Sequence, residues 1–300
     1  MGEGGNHDAS RRHGDCVSAA PSISLDGKVA LVTGGGAGIG RAIVDAYVAL
    51  GARIATIEIA PARAADLREA LGDDHIVVEG DVRSAETIAK AFGLLAERFS
   101  KLNVLVNNVG DSLRLRGSFA DRSEEDWDAL YAINLKHVFA CTKAALPLIR
   151  AGGNGGSIIT LSTIEAYRAA PPAAIYAAFK AAITGFTRSI ALELGPERIR
   201  ANIIAPETTN TPQVPIETMI APEHRNHIQR WIPMARFGKP RDCAGAAVFL
   251  ASELSEWMTG TTLHVDGGAL AAGGFYRTPT GEWTNLPVIT GVGVGWRPPA

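Results

Sequence analysis

The chain has 300 residues, of which 46% are hydrophobic and 20% are charged, so it is long enough for one large α/β domain with a substantial core. Its formal net charge of −2 excludes a strong overall attraction to nucleic acid or to an anionic membrane. No stretch approaches the roughly 18 consecutive apolar residues that a membrane span requires.

The N-terminal segment is polar and rich in glycine, and its Arg11–Arg12 pair lacks the apolar stretch of a twin-arginine signal. We therefore predict that residues 1–22 are a disordered leader. The three cysteines, Cys16, Cys141 and Cys243, are too widely spaced for a metal site or a disulfide framework. This cysteine usage favours a reduced cytoplasmic location and predicts no metal.

Apolar strands and helical segments alternate from residue 28 onward. Strands are predicted at 28–33, 53–58, 75–79, 103–107, 157–162, 200–204 and 261–265, and helices at 41–51, 61–72, 85–99, 123–149, 174–194 and 242–252. Seven such strands indicate an α/β fold with a single doubly wound parallel sheet and helices on both faces. Ligands of such sheets bind beyond the carboxyl ends of the strands.

The segment 206–236 is long, irregular and rich in proline, which is typical of a functional lid. Its apolar residues favour an apolar or cyclic substrate, although they could equally seal the segment to the core or to another subunit. These residues are Val214, Pro215, Ile216, Met219, Ile220, Trp231, Ile232 and Met234. The tail 271–300 carries Phe275, Tyr276 and Trp283, so we expect it to pack on this subunit or on a neighbour.

A glycine-rich turn joins the first strand to the first helix. The stretch "VTGGGAGIGRA" places Gly34, Gly38 and Gly40 where glycine allows close backbone approach and a helix N-terminus offers N–H groups to a pyrophosphate. The spacing is G-x-x-x-G-x-G and not the more familiar G-x-G-x-x-G, so a merely flexible turn is the alternative.

Glu58 ends the second strand, 20 residues after the second of these glycines. An acidic residue at this point accepts hydrogen bonds from the adenosine ribose hydroxyls and repels a 2′-phosphate. No arginine or lysine directly follows it, so the sequence predicts NAD and not NADP as the cofactor. The alternative is that Glu58 is an exposed strand end without a ligand.

Short polar motifs follow the next two strands. Asp81 and Val82, in "GDV", are predicted to lie around the adenine. In "NNVG", Asn107 is predicted to face the cofactor and Asn108 to join neighbouring strands through backbone hydrogen bonds. Each motif is weak alone, but their order after successive strands is unlikely to arise by chance.

Tyr176 and Lys180 lie four residues apart in the predicted helix 174–194, and therefore on one helix face. Taken alone, the pair could be a tyrosine at the rim of the core beside a solvated lysine. The remaining motifs decide how it is interpreted.

The combined motifs resemble the short-chain dehydrogenase/reductase family from about Leu25 to Gly268. The motifs are "TGGGAGIG" at 33–40, "GDV" at 80–82, "NNVG" at 107–110, Asn134 in "YAINL", "LST" at 161–163, "YAAFK" at 176–180 and "DGG" at 266–268. The resemblance implies a Rossmann-like catalytic domain over 23–270 and a dimer or tetramer. It also implies cofactor contacts from Ile39, Thr209, Thr211, Tyr176 and Lys180, in addition to the residues named above.

The resemblance further implies a catalytic tetrad of Asn134, Thr163, Tyr176 and Lys180. Relatives usually have serine 13 residues before the tyrosine, where this chain has Thr163, whose hydroxyl can make the same hydrogen bond. Ser162 is the alternative, although neighbouring residues of a strand point to opposite faces. Relatives also usually have glycine where this chain has Glu207, which places a charge near the nicotinamide end or bends the loop.

These expectations combine into an NAD-dependent oxidoreductase acting on a small molecule, a secondary alcohol or ketone that is apolar or cyclic, such as a steroid, terpenoid or dihydrodiol. The alternatives are a 3-oxoacyl-thioester reductase, which the acidic Glu58 disfavours because reductive biosynthesis usually draws on NADPH, and a non-catalytic dinucleotide sensor.

Overall fold

The computed structural model describes residues 22–115, 117–220, 222, 227–274, 276–278, 281, 283 and 284. The predicted leader, apart from residue 22, and Phe275 of the tail lie outside the described residues.

Seven parallel strands form one sheet in the order β3-β2-β1-β4-β5-β6-β7. The strands are β1 (Val29–Thr33), β2 (Arg53–Glu58), β3 (Ile76–Glu79), β4 (Val104–Asn107), β5 (Gly156–Leu161), β6 (Ile199–Pro206) and β7 (Thr262–Val265). The strand order reverses between β1 and β4, so a crevice opens beyond their carboxyl ends. The predicted doubly wound parallel sheet is confirmed.

Ten α-helices are described around the sheet. They are α1 (Gly38–Ala49), α2 (Pro61–Leu71), α3 (Ala85–Phe99), α4 (Glu124–Tyr131), α5 (His137–Ala151), α6 (Ala174–Leu194), α7 (Ile216–Met219), α8 (Ile228–Trp231), α9 (Pro240–Ala251) and α10 (Ala269–Ala272). One apolar cluster joins α3, α5 and α6 to one face of the sheet, and a second joins α1, α2 and α9 to the other face. The strands are apolar on both sides because both faces are covered in this way.

The predicted helical stretch over 123–149 is helical from Glu124 onward, but it is not one regular α-helix. A capping box between Ser123 and Asp126 starts α4, which ends at Tyr131, and a π-helical turn over Ala132–Lys136 separates it from α5. Within this turn, Asn134 Nδ2 donates to the carbonyl oxygen of Leu130 at 3.0 Å. That oxygen would accept the backbone N–H of residue 134 in an α-helix, and insertion of a side chain into this ladder bends a helix.

Among the residues described in the segment 206–236, the α-helices are α7 and α8, of four residues each. It is followed beyond α10 by a two-stranded antiparallel hairpin of β8 (Tyr276–Arg277) and β9 (Trp283–Thr284), and β8 lies beside α8. The roles predicted for the lid and the tail stay predictions. Among the described helices, none is long and apolar enough to cross a membrane.

Candidate active site

The glycine turn after β1 leaves the start of α1 open. Gly36 N–H donates to Glu58 Oε2 at 2.9 Å, which ties the turn to the end of β2. Within the described chain, no side chain caps the N-terminus of α1, and its first turn carries no acidic residue. Unpaired N–H groups and the positive end of the helix dipole therefore face the crevice, as pyrophosphate binding requires.

Gly40 shows why this turn excludes larger residues. A Cβ at position 40 would lie 2.1 Å from the carbonyl oxygen of Gly34 and 2.6 Å from Asn108 Nδ2. The first turn of α1 therefore packs directly on the loop that leaves β1. Gly34 and Gly38 have φ angles of 69° and 57°, in the left-handed region that glycine adopts readily. Ile39 lies between Gly38 and Gly40, in the first turn of α1. It packs against the apolar cluster of α1 and α9.

Glu58 is only 3% exposed at the carboxyl end of β2. Its Oε1 accepts a hydrogen bond from Ala60 N–H at 3.0 Å, in addition to the bond from Gly36 to Oε2. Each carboxylate oxygen has capacity for a further donor, so ribose hydroxyls could still bind. Arg63, exposed in α2, contacts the same turn, since a Cβ on Gly36 would lie 2.8 Å from Arg63 Cβ.

Asp81 and Val82 follow β3 as predicted from the sequence, but they differ in surroundings. Val82 is 4% exposed and belongs to the apolar cluster of α3 and α5. Asp81 accepts hydrogen bonds from the Arg83 guanidinium at 2.9 and 3.1 Å. These bonds hold the pKa of the Asp81 carboxyl below its usual value, so the group is an anion at neutral pH.

The two asparagines after β4 have different roles in the structure. Asn108 Nδ2 donates to the carbonyl oxygen of Thr33 at 2.9 Å and its N–H donates to Thr33 Oγ1 at 3.0 Å, so the predicted link between β1 and β4 is confirmed. The side chain of Asn107 is fully buried and donates to Thr142 Oγ1 on α5 at 3.3 Å. The Asn107 side chain is therefore turned toward α5, and its predicted cofactor contact stays a prediction.

The π-helical turn brings Asn134 against the loop that follows β4. Asn134 is fully buried, its Nδ2 donates to the Asp111 carbonyl oxygen at 2.8 Å, and its Oδ1 accepts from Asp111 N–H at 3.1 Å. A Cβ on Gly110 would lie 3.1 Å from Asn134 Oδ1 and 2.5 Å from Lys180 Nζ. The asparagine amide and the lysine amine thus meet at Gly110, where only glycine leaves room for both.

Lys180 is 3% exposed, and its Nζ donates to the carbonyl oxygen of Leu161 at 3.0 Å. Burial lowers the pKa of Lys180 to about 8, an effect that the nearby Asp111 carboxylate partly opposes. The amine is therefore mostly charged at neutral pH. Its nitrogen lies 5.9 Å from the centroid of the Tyr176 ring, so the i, i+4 pair shares one face of α6.

The two hydroxyls after β5 point to different partners. Ser162 Oγ is buried and donates to the carbonyl oxygen of Lys180 at 3.0 Å. Thr163 is half-buried; its Oγ1 accepts from Glu165 N–H at 3.3 Å and makes a long contact of 3.4 Å with the carbonyl oxygen of Pro206. The serine hydroxyl is bonded to the backbone of α6. Of the two residues, Thr163 is therefore better placed to offer its hydroxyl to a substrate oxygen.

The loop after β6 crosses the crevice to the glycine turn. Thr209 Oγ1 donates to the carbonyl oxygen of Glu207 at 2.9 Å, and Thr211 Oγ1 accepts from Val214 N–H at 3.1 Å. A Cβ on Gly38 would lie 3.2 Å from the Thr211 side chain. The described residues contain no cluster of histidine, cysteine, aspartate and glutamate side chains that could bind a metal ion.

Sequence reasoning missed three residues of this site: Asp111, His137 and Gln213. Gln213 Nε2 donates to the carbonyl oxygen of Gly110 at 3.2 Å, and Asp111 anchors Asn134 as described above. His137 is buried, and its Nε2 donates to the carbonyl oxygen of Ile133 at 2.8 Å. Burial, together with the Lys180 cation, lowers the pKa of His137 to about 4, so the ring is neutral. Only the position of Asp111 directly after "NNVG" could have signalled its role.

The family model described as "Enoyl-(Acyl carrier protein) reductase" matches residues 34–269, well over half of the chain. The 2-dehydro-3-deoxy-D-gluconate 5-dehydrogenase of Escherichia coli is 35% identical over 254 residues, which cover 83% of this chain and 98% of the relative. The chain belongs to the short-chain dehydrogenase/reductase family. As a member of this family it is an oxidoreductase that acts on CH–OH groups with a nicotinamide dinucleotide.

Two further short-chain dehydrogenases/reductases are similar over most of the chain. The 3-oxoacyl-[acyl-carrier-protein] reductase of Synechocystis is 34% identical and covers 82% of this chain and 98% of its own length. A solved structure of 7α-hydroxysteroid dehydrogenase, complexed with NADH and 7-oxo glycochenodeoxycholic acid, superimposes with a TM-score of 0.75 at 30% identity. That match covers 82% of this chain and 96% of that chain. The predicted family is confirmed.

Proposed function

We propose that this protein is an NAD-dependent oxidoreductase that interconverts a secondary alcohol and a ketone, with Asn134, Thr163, Tyr176 and Lys180 as its catalytic residues. The observation that carries the proposal is the pairing of a buried lysine amine with the tyrosine ring on one face of α6, 5.9 Å from nitrogen to ring centroid. The bound nicotinamide supplies hydride exchange with the substrate carbon.

Each protein group has a separate task in this proposal. Tyr176 moves a proton to or from the substrate oxygen, and Thr163 holds that oxygen by a hydrogen bond. A free tyrosine has a pKa of about 10, and a nearby ammonium favours the phenolate form. The Lys180 amine, mostly charged at neutral pH, supplies this cation. Asn134 fixes the loop at Asp111 and Gly110, against which the amine packs.

The preference for NAD rests on the buried Glu58 carboxylate at the end of β2. We predict that Glu58→Ala weakens NAD binding by about tenfold or more, because each hydrogen bond to a charged acceptor contributes about 1.5–3 kcal/mol. The ratio of NAD to NADP affinity should fall in this variant. The carboxylate that repels the 2′-phosphate is gone, whereas the Arg63 cation remains beside the same turn. Dissociation constants of both dinucleotides, measured by calorimetry, test this.

Glu79→Ala is the matched control for this change. Glu79 ends β3 in register with Glu58, but its side chain is 45% exposed and pairs with Arg68 at 3.7 Å. It should leave both dissociation constants within about twofold of the wild type, because exposed ion pairs contribute little. An unchanged ratio of NAD to NADP affinity in Glu58→Ala would contradict the assigned cofactor.

An apolar or cyclic substrate is supported by the lid segment. Ile216 and Ile232 are buried, whereas Met219, Trp231 and Met234 remain 59%, 40% and 65% exposed on the same segment. The steroid bound to the structural relative is consistent with this class. A 3-oxoacyl-thioester is the second candidate substrate, favoured by the Synechocystis relative and by the description of the matching family model.

A substrate panel with both dinucleotides tests the proposed function. It should contain cyclic and steroid secondary alcohols, dihydrodiols, a sugar acid and a 3-oxoacyl thioester, with absorbance of the reduced cofactor as the readout. We expect the highest kcat/KM for a cyclic secondary alcohol with NAD. Preference for the thioester with NADPH would favour the second candidate, and no turnover with any compound would favour a non-catalytic dinucleotide sensor.

The proposal includes a homo-oligomer, a dimer or tetramer, and a cytoplasmic location. The oligomer is supported by apolar side chains that a monomer would leave in water, above all Trp257 at 98% exposure. The location is supported by the two described cysteines, Cys141 and Cys243, which are buried and unpaired.

A further inference from the structure

Glu207 is a buried acidic residue at the position where relatives usually have glycine. Its side chain is 6% exposed, and its Oε2 accepts a hydrogen bond from Arg168 Nη2 at 2.8 Å. Arg168 belongs to the segment between β5 and α6, which also carries Thr163, whereas Glu207 directly follows β6. The ion pair therefore joins two loops that leave different strands.

The arginine is shared between two carboxylates. Arg168 Nη2 also donates to Glu165 Oε1 at 2.8 Å, and Glu165 N–H donates to Thr163 Oγ1 at 3.3 Å. The threonine hydroxyl in turn lies 3.4 Å from the carbonyl oxygen of Pro206, the residue before Glu207. A closed ring of contacts thus runs from Thr163 through Glu165, Arg168 and Glu207 back to Thr163.

The second oxygen of Glu207 shapes the loop after β6. Oε1 accepts from Thr208 N–H at 2.7 Å and from Thr208 Oγ1 at 2.9 Å. The Glu207 carbonyl oxygen accepts from Thr209 Oγ1, so both threonines are held by one residue. This loop continues to Thr211, which contacts the glycine turn.

A buried carboxylate needs these partners, since an unpaired charge in such surroundings is strongly unfavourable. The pair therefore differs from the Arg150–Glu197 pair on the surface, which is bidentate at 2.6 and 2.7 Å but has side chains that are 50% and 38% exposed. Solvent screens such a surface pair, and it contributes little to structure.

We propose that Arg168 and Glu207 are positioning residues that set the Thr163 hydroxyl relative to the loop carrying Thr209 and Thr211. This inference rests on the proposed function, because it assigns those two loops to the substrate oxygen and to the nicotinamide. This Arg168–Glu207 pair, called the clamp below, acts through Thr163 and through the backbone of the loop after β6. It does not act on the dinucleotide's adenosine end, which Glu58 serves.

Glu207→Gln tests the inference, with Arg168→Met as the second variant and Arg150→Met as the matched control. The glutamine keeps the size and an acceptor oxygen but removes the charge that holds Arg168. We expect kcat to fall on the order of tenfold or more, since a misplacement of about 1 Å in a catalytic group can cost about 100-fold. The dissociation constant for NAD should change much less than kcat, because the contacts at the adenosine end, including Glu58, are untouched.

Hydrogen–deuterium exchange provides a readout that does not depend on turnover. Exchange should become faster in residues 162–173 and 206–213 of both clamp variants, and should be unchanged elsewhere and throughout Arg150→Met. Arg168→Lys, which keeps the cation, should show a smaller effect than Arg168→Met.

The two readouts separate failure of the clamp from failure of the proposed function. If the wild type turns over no substrate, the proposed function fails, while the exchange comparison still decides whether the clamp holds the two loops. Unchanged exchange in both segments of Glu207→Gln, or faster exchange spread evenly over the chain, would overturn the inference. Unchanged kcat in a substrate-active enzyme would also overturn it.

Discussion

Replacement of Tyr176 by phenylalanine is expected to lower kcat/KM for alcohol oxidation by about a thousandfold while leaving the protein folded. The change removes only the hydroxyl, and a positioned general acid or base contributes about 10²–10⁴-fold to a rate. The half-buried ring, on the same face of α6 as Lys180, stays in place. Steady-state rates with NAD and the best alcohol of the panel measure the effect, and circular dichroism checks the fold.

Tyr167→Phe is the control for loss of a tyrosine hydroxyl. Tyr167 lies on the loop between β5 and α6, and its hydroxyl is 2.9 Å from Thr184 Oγ1 and 2.7 Å from Thr262 Oγ1. Its loss should lower the free energy of unfolding by about 1 kcal/mol and change kcat/KM only slightly. Equal activity of Tyr176→Phe and the wild type would reject the proposed chemistry.

Lys180→Met is expected to abolish most of the turnover and, at the same time, to change how stability depends on pH. Burial lowers the pKa of Lys180 from 10.5 to about 8. The unfolded chain therefore binds more protons than the folded chain between these two values, and the free energy of unfolding of the wild type rises with pH in that window. The rise from this group amounts to about 3 kcal/mol and is complete near pH 10.5.

The methionine variant lacks this contribution. At pH 7 it should be more stable than the wild type by up to about 3 kcal/mol, provided that the methionine fills the same space, and the difference should narrow as the pH rises from 8 to 10.5. Urea unfolding of both proteins across this range measures the difference. Lys143→Met on the exposed side of α5 is the control. A difference that is independent of pH would show that the folded protein does not suppress the charge on Lys180.

The strand-end motifs were predictable because their positions follow from the topology. Parallel strands place their carboxyl ends at one edge, so Glu58, Asp81, Asn108 and Thr163 could be assigned to a common edge from hydrophobic runs and the motifs after them. The motif at 176–180 was predictable for a similar reason, since the i, i+4 spacing fixes one helix face.

The π-helical turn at Ala132–Lys136 could not be predicted from hydrophobic periodicity. The backbone hydrogen bonds of a π-helical turn span one residue more than those of an α-helix. The apolar pattern on either side remains that of a continuous helix. At this turn, the side chains of Asn134 and His137 hydrogen-bond to backbone carbonyls four residues earlier, which only the folded geometry shows. The position of Asn134 in the site depends on this turn.

The partner of Glu207 was equally hidden from the sequence. The unusual residue was visible, but Arg168 lies 39 positions away in a loop without regular periodicity. Asn107 is a second example, because its motif position predicts a cofactor contact but does not reveal that its side chain bonds to Thr142. The spacing of residues in the sequence therefore did not reveal the partners of Glu207 and Asn107, which depend on loop conformation and side-chain direction.

The contact between the hydroxyl of Tyr47 and the carbonyl oxygen of Ala247 has a consequence for how the protein is made. This 2.9 Å bond joins α1 to α9 across 200 positions, and the two helices pack along one face of the sheet. During synthesis, α1 can pack on β1 and β2 once these strands have emerged, but the side of α1 that faces α9 is covered only after Pro240–Ala251 have been made. This layer of the core therefore relies on contacts between residues far apart in the sequence, which form late and leave apolar surface exposed during folding.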